Sequence, residues 1–371
     1  LQPLIAAMGD RDDDTRAKVV DAVVRYGKLA TESVIVALEH SKSSIAKCAA
    51  VSALGAIGDP TSIPVLVEQL KSSYYLVRQE TISALTQYGK RAVKPLLGVL
   101  SFNRSNIDVL LDEAERSEDV QTRLRAVRAL GDLEDHRAVN LLKSLLSVPE
   151  QDLGLEAQES LTKIGCAAWQ RCGAMGVLGR IGDERVVPEI LSLLRDDSIH
   201  VRHQAVETLR DLQNEQAAEP LLGLARTDPD HGVRRAALAA ARNLATGTPE
   251  LFDTALSLIE HDAYDVRTET ARILGDYRDD RAVTPLLQCL SDPSWNVRFS
   301  AENALCNQGK QVVPGLIAIL QDGVLVARNR AVSALGRIGD PRAIEPLEQL
   351  LGRETNKLTI DITKEVLKRL R

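Results

Sequence analysis

His200 and His203 lie three residues apart, and Glu207 follows four further on. On a helix that spacing places all three along one stripe, and His231 would approach from the next repeat. Two or three imidazoles beside a carboxylate could hold zinc or iron. The spacing is loose for a ligand set, and polar groups on a groove wall account for it as well. These four are weak metal candidates, and no metal or other cofactor is expected. The five cysteines, Cys48, Cys166, Cys172, Cys289 and Cys306, are scattered and include no CxxC pair. A disulfide framework is not indicated, and the natural setting is a reducing cytoplasm. No glycine-rich phosphate loop, nucleophile elbow or Ser/His/Asp pattern occurs on a plausible scaffold. No catalytic residue is assigned, and the balance tips away from an enzyme.

Chemistry of this kind would need elements to position it, and those elements are repeats. The clearest copy is Arg328-Asn329-Arg330-Ala331-Val332-Ser333-Ala334-Leu335-Gly336-Arg337-Ile338-Gly339-Asp340. The same register puts Arg at 16, 78, 123, 171, 202, 234, 267, 298 and 328, with Lys47 once and Gly154 and Ile360 in weaker copies. From Arg171 onward the steps are 31, 32, 33, 31 and 30 residues. Each unit reads as two helices. The first carries the Arg and ends at Ile-Gly or Tyr-Gly, where glycine takes the left-handed cap that other residues resist. Asp59, Asp183 and Asp340 follow and can cap what comes next. The second helix has proline in its first turns, as at Pro64, Pro188, Pro314 and Pro346, where N–H groups lack helical partners anyway. The expectation is an all-α superhelix, a solenoid of about twelve two-helix repeats forming one array over 1–371.

The period slips twice. Arg78 to Arg123 is 45 residues and Gly154 to Arg171 is 17. The first slip predicts an irregular stretch at 101–119 with a short helix over Ile107 to Arg116. The second is a break near 165–166, where Ile164-Gly165 runs straight into Cys166-Ala167-Ala168-Trp169 and a second helix is missing. It reads either as a true irregularity or as residues left out of the chain.

Composition agrees with thin helical layers. Of 371 residues, 44% are hydrophobic but only 3% aromatic, and 26% are charged. A net charge of −6 argues against general nucleic-acid binding. No apolar run approaches the roughly 18 residues that span a bilayer, so no membrane segment is expected, and no signal peptide is visible.

The Val-Arg-x-x-Ala-x-x-Ala-Leu-Gly-x-Ile-Gly-Asp units, with Val201-Arg202, Val233-Arg234, Val266-Arg267 and Val297-Arg298 as good copies, resemble the HEAT-like repeats of the phycobilisome-lyase type. The resemblance covers nearly the whole chain. It implies a fold and leaves function open, because the repeat occurs in bilin-attaching subunits, metal-dependent hydroxylases and scaffolds. The hydroxylase branch uses His-Glu pairs, whereas this chain has only the reversed Glu39-His40 and Glu260-His261. The resemblance also implies that the repeated Arg pairs with acidic groups near the preceding loop, such as Asp196 or Asp197, Asp262, Asp292 and Asp322. It further implies that the Arg-bearing helices line the concave side.

Residues that hold a stack recur, whereas residues that serve a partner vary. The varying positions around each Arg hold Tyr75, Trp169, His200, His203, Arg235, Tyr264, Trp295, Phe299 and Asn303. Both Trp residues of the chain are in this set. The alternative for the indoles is a packing plug between repeats. Gly173 and Gly176 would open space beside Trp169 for a ligand or for a closely packed backbone. The function expected first is a non-catalytic scaffold or adaptor that binds a protein or peptide on this face. The alternatives are a subunit of a bilin or other cofactor-attaching lyase, and nucleic-acid binding.

Overall fold

The computed structural model describes residues 1–100, 107–133, 135–148 and 150–371, and every regular element among them is helical. The chain divides into two compact units, Leu1–Leu212 and Gln213–Arg371. The first contains α1 (Gln2–Ala7), α2 (Asp13–Val24), α3 (Lys28–His40), α4 (Ser44–Ile57), α5 (Ile63–Gln69), α6 (Tyr75–Gln87) and α7 (Lys90–Leu100). It continues with α8 (Asp108–Arg116), α9 (Val120–Asp132), α10 (Val139–Leu145), α11 (Gln151–Ile181), α12 (Val187–Leu193) and α13 (Ile199–Leu212). The second contains α14 (Ala218–Thr227), α15 (His231–Leu244), α16 (Pro249–Leu258), α17 (Tyr264–Gly275) and α18 (Val283–Cys289). It ends with α19 (Trp295–Gln308), α20 (Val313–Asp322), α21 (Leu325–Ile338), α22 (Ile344–Arg353) and α23 (Lys357–Leu370).

The helical pairs stack as the period requires, giving an all-α solenoid of two-helix repeats. In the first unit α4 lies between α2 and α6; in the second, α17 packs on α15 and α19, and α21 on α19 and α23. The layers are closed by small and branched residues, such as Ala271, Leu274, Ala301, Leu305, Ala331 and Leu335, all fully buried. Each buried leucine contributes about 1.5–3 kcal/mol.

Chain reversal at the repeat ends follows from local chemistry. Gly58, Gly182 and Gly339 adopt φ of 68°, 69° and 70°, the left-handed region that a Cβ disfavours. The next residue caps the following turn: Asp59, Asp183 and Asp340 accept from the N–H of Thr61, Arg185 and Arg342 at 3.2, 3.1 and 3.0 Å. At the end of α13 the left-handed position is filled by Gln213, with φ 53° and no glycine to ease it.

The two slips in the period have one cause. The chain runs through the second as an unbroken helix, α11, of 31 residues. Its N-terminal half packs with α9 and α10: the Ser160 hydroxyl donates to the Val127 carbonyl at 3.0 Å, and Lys163 meets Asp132 at 2.9 Å. Its C-terminal half packs on the earlier repeats: Gln170 Nε2 donates to the Val67 carbonyl at 3.1 Å, across a separation of 103 residues. Helices α5, α6 and α7 all contact α11. Residues 107–164 form a hydrophobic core of their own, built on Ile107, Ala126, Leu130, Leu142, Leu153 and Ile164. The irregular stretch expected at 101–119 is thus the start of a larger excursion. Its short helix is α8, while residues 101–106 lie outside those described. The 107–164 segment carries thirteen acidic against seven basic side chains, which accounts for the whole net charge of −6.

The repeated arginine is structural, but its partners differ from the expectation. It reaches back to main-chain carbonyls of the preceding loop, not to carboxylates there. Arg202 Nη1 donates to the Asp196 and Asp197 carbonyls at 2.8 and 3.1 Å, and Arg298 Nη1 to those of Asp292 and Pro293 at 2.6 and 2.8 Å. Its carboxylate comes from the loop one repeat later: Arg171 meets Asp196 at 2.7 Å, Arg267 grips Asp292 through Nε and Nη2 at 2.7 and 3.0 Å, and Arg328 meets Glu354 at 3.1 Å. One Asp therefore ties two successive arginines, one by its side chain and one by its carbonyl. At the first rung of this ladder in the Gln213–Arg371 unit the acid is replaced by His261, whose Nε2 lies 2.8 Å from Arg234 Nη1.

Candidate functional site

The variable positions expected to bind lie on the Arg-bearing helices. In the first unit Tyr75 begins α6 and is exposed, as are His200 on α13 and Trp169 on α11, while His203 is half-buried. The Trp169 ring is 41% exposed, so it does not plug a gap between layers. The Arg78 guanidinium lies 4.5 Å from its centroid and 5.8 Å from that of Tyr75, while Arg78 Nη1 donates to the Ser72 carbonyl at 2.6 Å. This orders the cation against the indole face.

In the second unit Tyr264 starts α17 and Trp295 starts α19, both exposed. Trp295 is 54% exposed and stacks on Phe299 at 5.0 Å and 8°, with Arg330 5.6 Å from the indole. Arg235 and His231 both approach Asp265, at 3.9 and 3.1 Å. Asn303 accepts from Arg337 at 2.7 Å. Buried Glu302 anchors this cluster, meeting Arg330 at 2.8 Å and the Ser333 hydroxyl at 2.6 Å. A second buried acid, Glu269, meets Arg272 at 3.2 Å.

The structure does not assemble the weak metal candidates. Glu207 is engaged by Arg210 at 2.6 Å and His231 by Asp265. Among the described residues no group of three or more His, Cys, Asp or Glu is placed to hold a metal ion. Nor is Cys172 a nucleophile at neutral pH: burial pushes its thiol up to about 12, and it points at the His200 carbonyl, 3.5 Å away.

A trench of 360 Å³ runs down α11 beside Trp169. Its floor is the stripe Trp169, Cys172, Gly173, Gly176 and Arg180; one wall is Arg78, Gln79 and Ile82 of α6, and the other is Gln204, Glu207 and Asp211 of α13. The two glycines differ. A Cβ at Gly173 would sit 2.8 Å from Leu70 Cδ2, so that glycine lets α11 close on the end of α5. A Cβ at Gly176 would meet nothing nearer than Gln204 Nε2 at 4.0 Å, so its missing side chain is left as open space. The sequence signalled the floor through the glycines after Trp169. It did not signal the walls, because Arg78 and Asp211 come from helices that only the fold makes neighbours.

Stacked helical pairs with an arginine ladder and a variable outer row define a repeat protein. The model for HEAT repeats matches residues 1–100, 166–242, 238–306 and 283–368, and the chain belongs to that family. The PBS lyase HEAT-like repeat matches residues 122–147, inside the excursion. The phycocyanobilin lyase subunit alpha of Picosynechococcus sp. is 33% identical over 108 residues, covering 26% of this chain and 40% of that protein. The chain therefore spans less than half the length of that relative. A phycobilisome maturation protein of Synechococcus elongatus is 26% identical over 181 residues, covering 42% of this chain and 87% of that protein. Among solved structures, importin beta aligns over 99% of this chain and 54% of its own at 14% identity, with a TM-score of 0.41. No helix among the described residues is long and apolar enough to cross a membrane.

Proposed function

We propose that this protein is a non-catalytic scaffold that binds a protein partner on the faces of its Arg-bearing helices. The observation that supports it is the set of solvent-facing aromatic side chains on these helices: Tyr75, Tyr264 and Trp295 in first turns, Phe299 one turn after Trp295, and Trp169 midway along α11. In a chain with 3% aromatics, large rings left in water are unfavourable unless something covers them. Trp, Tyr and Arg are the side chains that dominate such contacts. His200, His203, Arg235 and Asn303 supply polar contacts around the rings. A cytoplasmic setting belongs to this proposal, because all five cysteines are free thiols.

The test is Trp295→Ala, read by quantitative capture of partners from the native cell. Loss of a central indole is worth about 2 kcal/mol, or roughly 30-fold in affinity. Stability falls by only about 1 kcal/mol, from the lost stacking and cation–π contacts. Capture that survives while the melting temperature drops by several degrees would return Trp295 to a packing role.

A second reading is supported by the names of the two relatives: a subunit of a bilin-attaching or phycobiliprotein-maturing assembly. On it the partner is a chromophore-bearing protein, and an open-chain tetrapyrrole would bind beside Trp169. Titration with such a pigment should then shift its absorbance and quench indole fluorescence; an unchanged spectrum counts against it. Nucleic-acid binding, the third expectation, predicts an affinity that falls steeply with salt.

A further inference from the structure

We propose that the ring-bearing face of the Gln213–Arg371 unit binds a proline-rich segment of the partner protein in the polyproline II conformation. This rests on the protein-binding reading and names what is bound. Tyr264, Trp295 and Leu325 each stand three residues before a ladder arginine, Arg267, Arg298 and Arg328, and all three are exposed. Their helices are successive layers, α17 packing on α19 and α19 on α21. The face therefore presents one large apolar side chain per layer, at the same place in each.

The spacing selects the conformation. Packed helices lie about 8–10 Å apart. Helices α17 and α19 approach closely, since a Cβ on Gly275 would lie 2.8 Å from Ala304 Cα. Polyproline II repeats every three residues and about 9.3 Å, so every third side chain meets the next layer. In a strand, side chains three apart point to opposite faces. An α-helix needs seven residues, about 10.5 Å, to return to the same side, which overshoots the spacing.

Hydrogen bonding selects the composition. The carboxylates around the rings are already engaged: Asp265 by His231 at 3.1 Å, Glu269 by Arg272 at 3.2 Å, Asp276 by Arg242 at 2.6 Å and Glu302 by Arg330 at 2.8 Å. Arg235 and Arg337 also lie within 4 Å of a carboxylate, at 3.9 and 3.4 Å. The groups left over are donors. Among the described residues the Tyr264 hydroxyl and Trp295 Nε1 bond nothing, whereas Tyr88 and Tyr277 donate to the Leu54 and Thr248 carbonyls at 2.6 and 2.9 Å. The Asn303 oxygen accepts from Arg337, which leaves its NH2 to donate. Such a face calls for carbonyl oxygens that come without N–H groups and without charge. A proline main chain supplies them, because proline lacks the N–H and polyproline II leaves its carbonyls unbonded. An α-helix has spent its carbonyls internally. Trp295 is ordered in advance by Phe299 stacked on it and by Arg330, which Glu302 anchors. A pocket of 150 Å³ opens beside Phe299 and Asn303, and a cavity of that size admits a benzene-sized ring.

The experiment follows fluorescein-labelled decaproline by fluorescence anisotropy with the full chain. The comparison probes are a Gly-Ser decamer, decaglutamate and an amphipathic helix with leucine at every seventh position. Decaproline should bind at least 10-fold more tightly than any of them. Its affinity should change less than 2-fold between about 50 and about 500 mM salt, because no ion pair is made. Trp295→Ala should weaken it at least 10-fold. Tyr264→Phe and Trp295→Phe keep a ring and delete a donor, and each should weaken it about 3-fold to 5-fold. Tyr264→Phe should do so with the urea midpoint unchanged, because that hydroxyl has no partner in the folded chain. Preference for decaglutamate or for the leucine helix overturns the proposal, as does decaproline binding that survives Trp295→Ala or falls steeply with salt. Full binding by both donor-deleting variants overturns the hydrogen-bonding argument and the proposal with it. Partner capture separates the two levels. If Trp295→Ala impairs capture but excess decaproline does not compete with it, the scaffold function stands and the proline-rich assignment falls. If Trp295→Ala changes neither capture nor decaproline binding, both fall.

Discussion

Replacing His261 by aspartate should stabilise the Gln213–Arg371 unit, because the imidazole is asked to accept two hydrogen bonds with one acceptor. The Ala263 N–H points at His261 Nδ1 from 3.0 Å, and Arg234 Nη1 points at Nε2 from 2.8 Å. A neutral imidazole has a single acceptor nitrogen, so one contact is made at the expense of the other. The next rung shows the alternative. Asp292 accepts from Arg267 through both oxygens and also from the Ser294 N–H at 2.7 Å. An aspartate at 261 would accept from both groups and restore a charge-assisted bond, worth 1.5–3 kcal/mol in favourable settings. The site is half-buried and flanked by Glu260 and Asp262, so about 1 kcal/mol is expected. With an m-value of about 2.5 kcal/mol/M, the urea midpoint at pH 7.5 rises by about 0.4 M, followed by far-UV circular dichroism. In an Arg234→Ala background the gain should vanish, because Ala263 then has the acceptor to itself. An unchanged or lowered midpoint, or a gain that persists without Arg234, would refute the acceptor shortage.

Four further outcomes follow from the geometry. Gln213→Gly should raise stability by about 1 kcal/mol in chemical denaturation, since the φ of 53° is unfavourable for any residue with a Cβ. Gly275→Ala should destabilise by about 1–3 kcal/mol, because the new Cβ would lie 2.8 Å from Ala304 Cα. Gly223→Ala, where a Cβ meets nothing within 4 Å, should stabilise by about 0.5–1 kcal/mol in the same assay. Hydrogen bonds from the Arg342 side chain hold the Asp340 carboxyl down to about 2, below the value of about 3.9 in an unfolded chain. A depressed folded value gives stability that is complete above pH 4 and lost as pH falls toward 2. The stability gap between wild type and Asp340→Asn, measured across that range, should therefore narrow with acid.

Much of the fold was legible because the residues that make it are local. Gly58, Gly182 and Gly339 mark helix ends through their own backbone preference, and Asp59, Asp183 and Asp340 cap through N–H groups two residues away. The exposure of Trp169 and Trp295 was legible in a different way: both stand where other repeats carry unrelated residues, as surface positions do. The arginine partners were half legible. The family resemblance implied the preceding loop, but the side chain bonds carbonyls there, and its carboxylate comes from the next loop. The excursion was hidden because Arg123 keeps the repeat register inside it. Its two slips also compensate, so Arg78 and Arg171 remain a whole number of periods apart. Only the separation of 103 residues between Val67 and Gln170 shows which repeats are neighbours. The walls of the trench share that non-local origin.

Helix α11 belongs to two hydrophobic bodies at once. At 31 residues it is a rod of about 46 Å with no loop to absorb motion. Its buried Leu153, Ala157 and Ile164 are gripped by the acidic 107–164 body, and Ala168, Gly173 and Val177 by the stacked repeats. The same unbroken helix therefore joins the acidic segment of the chain to the floor of the trench, with no loop between them.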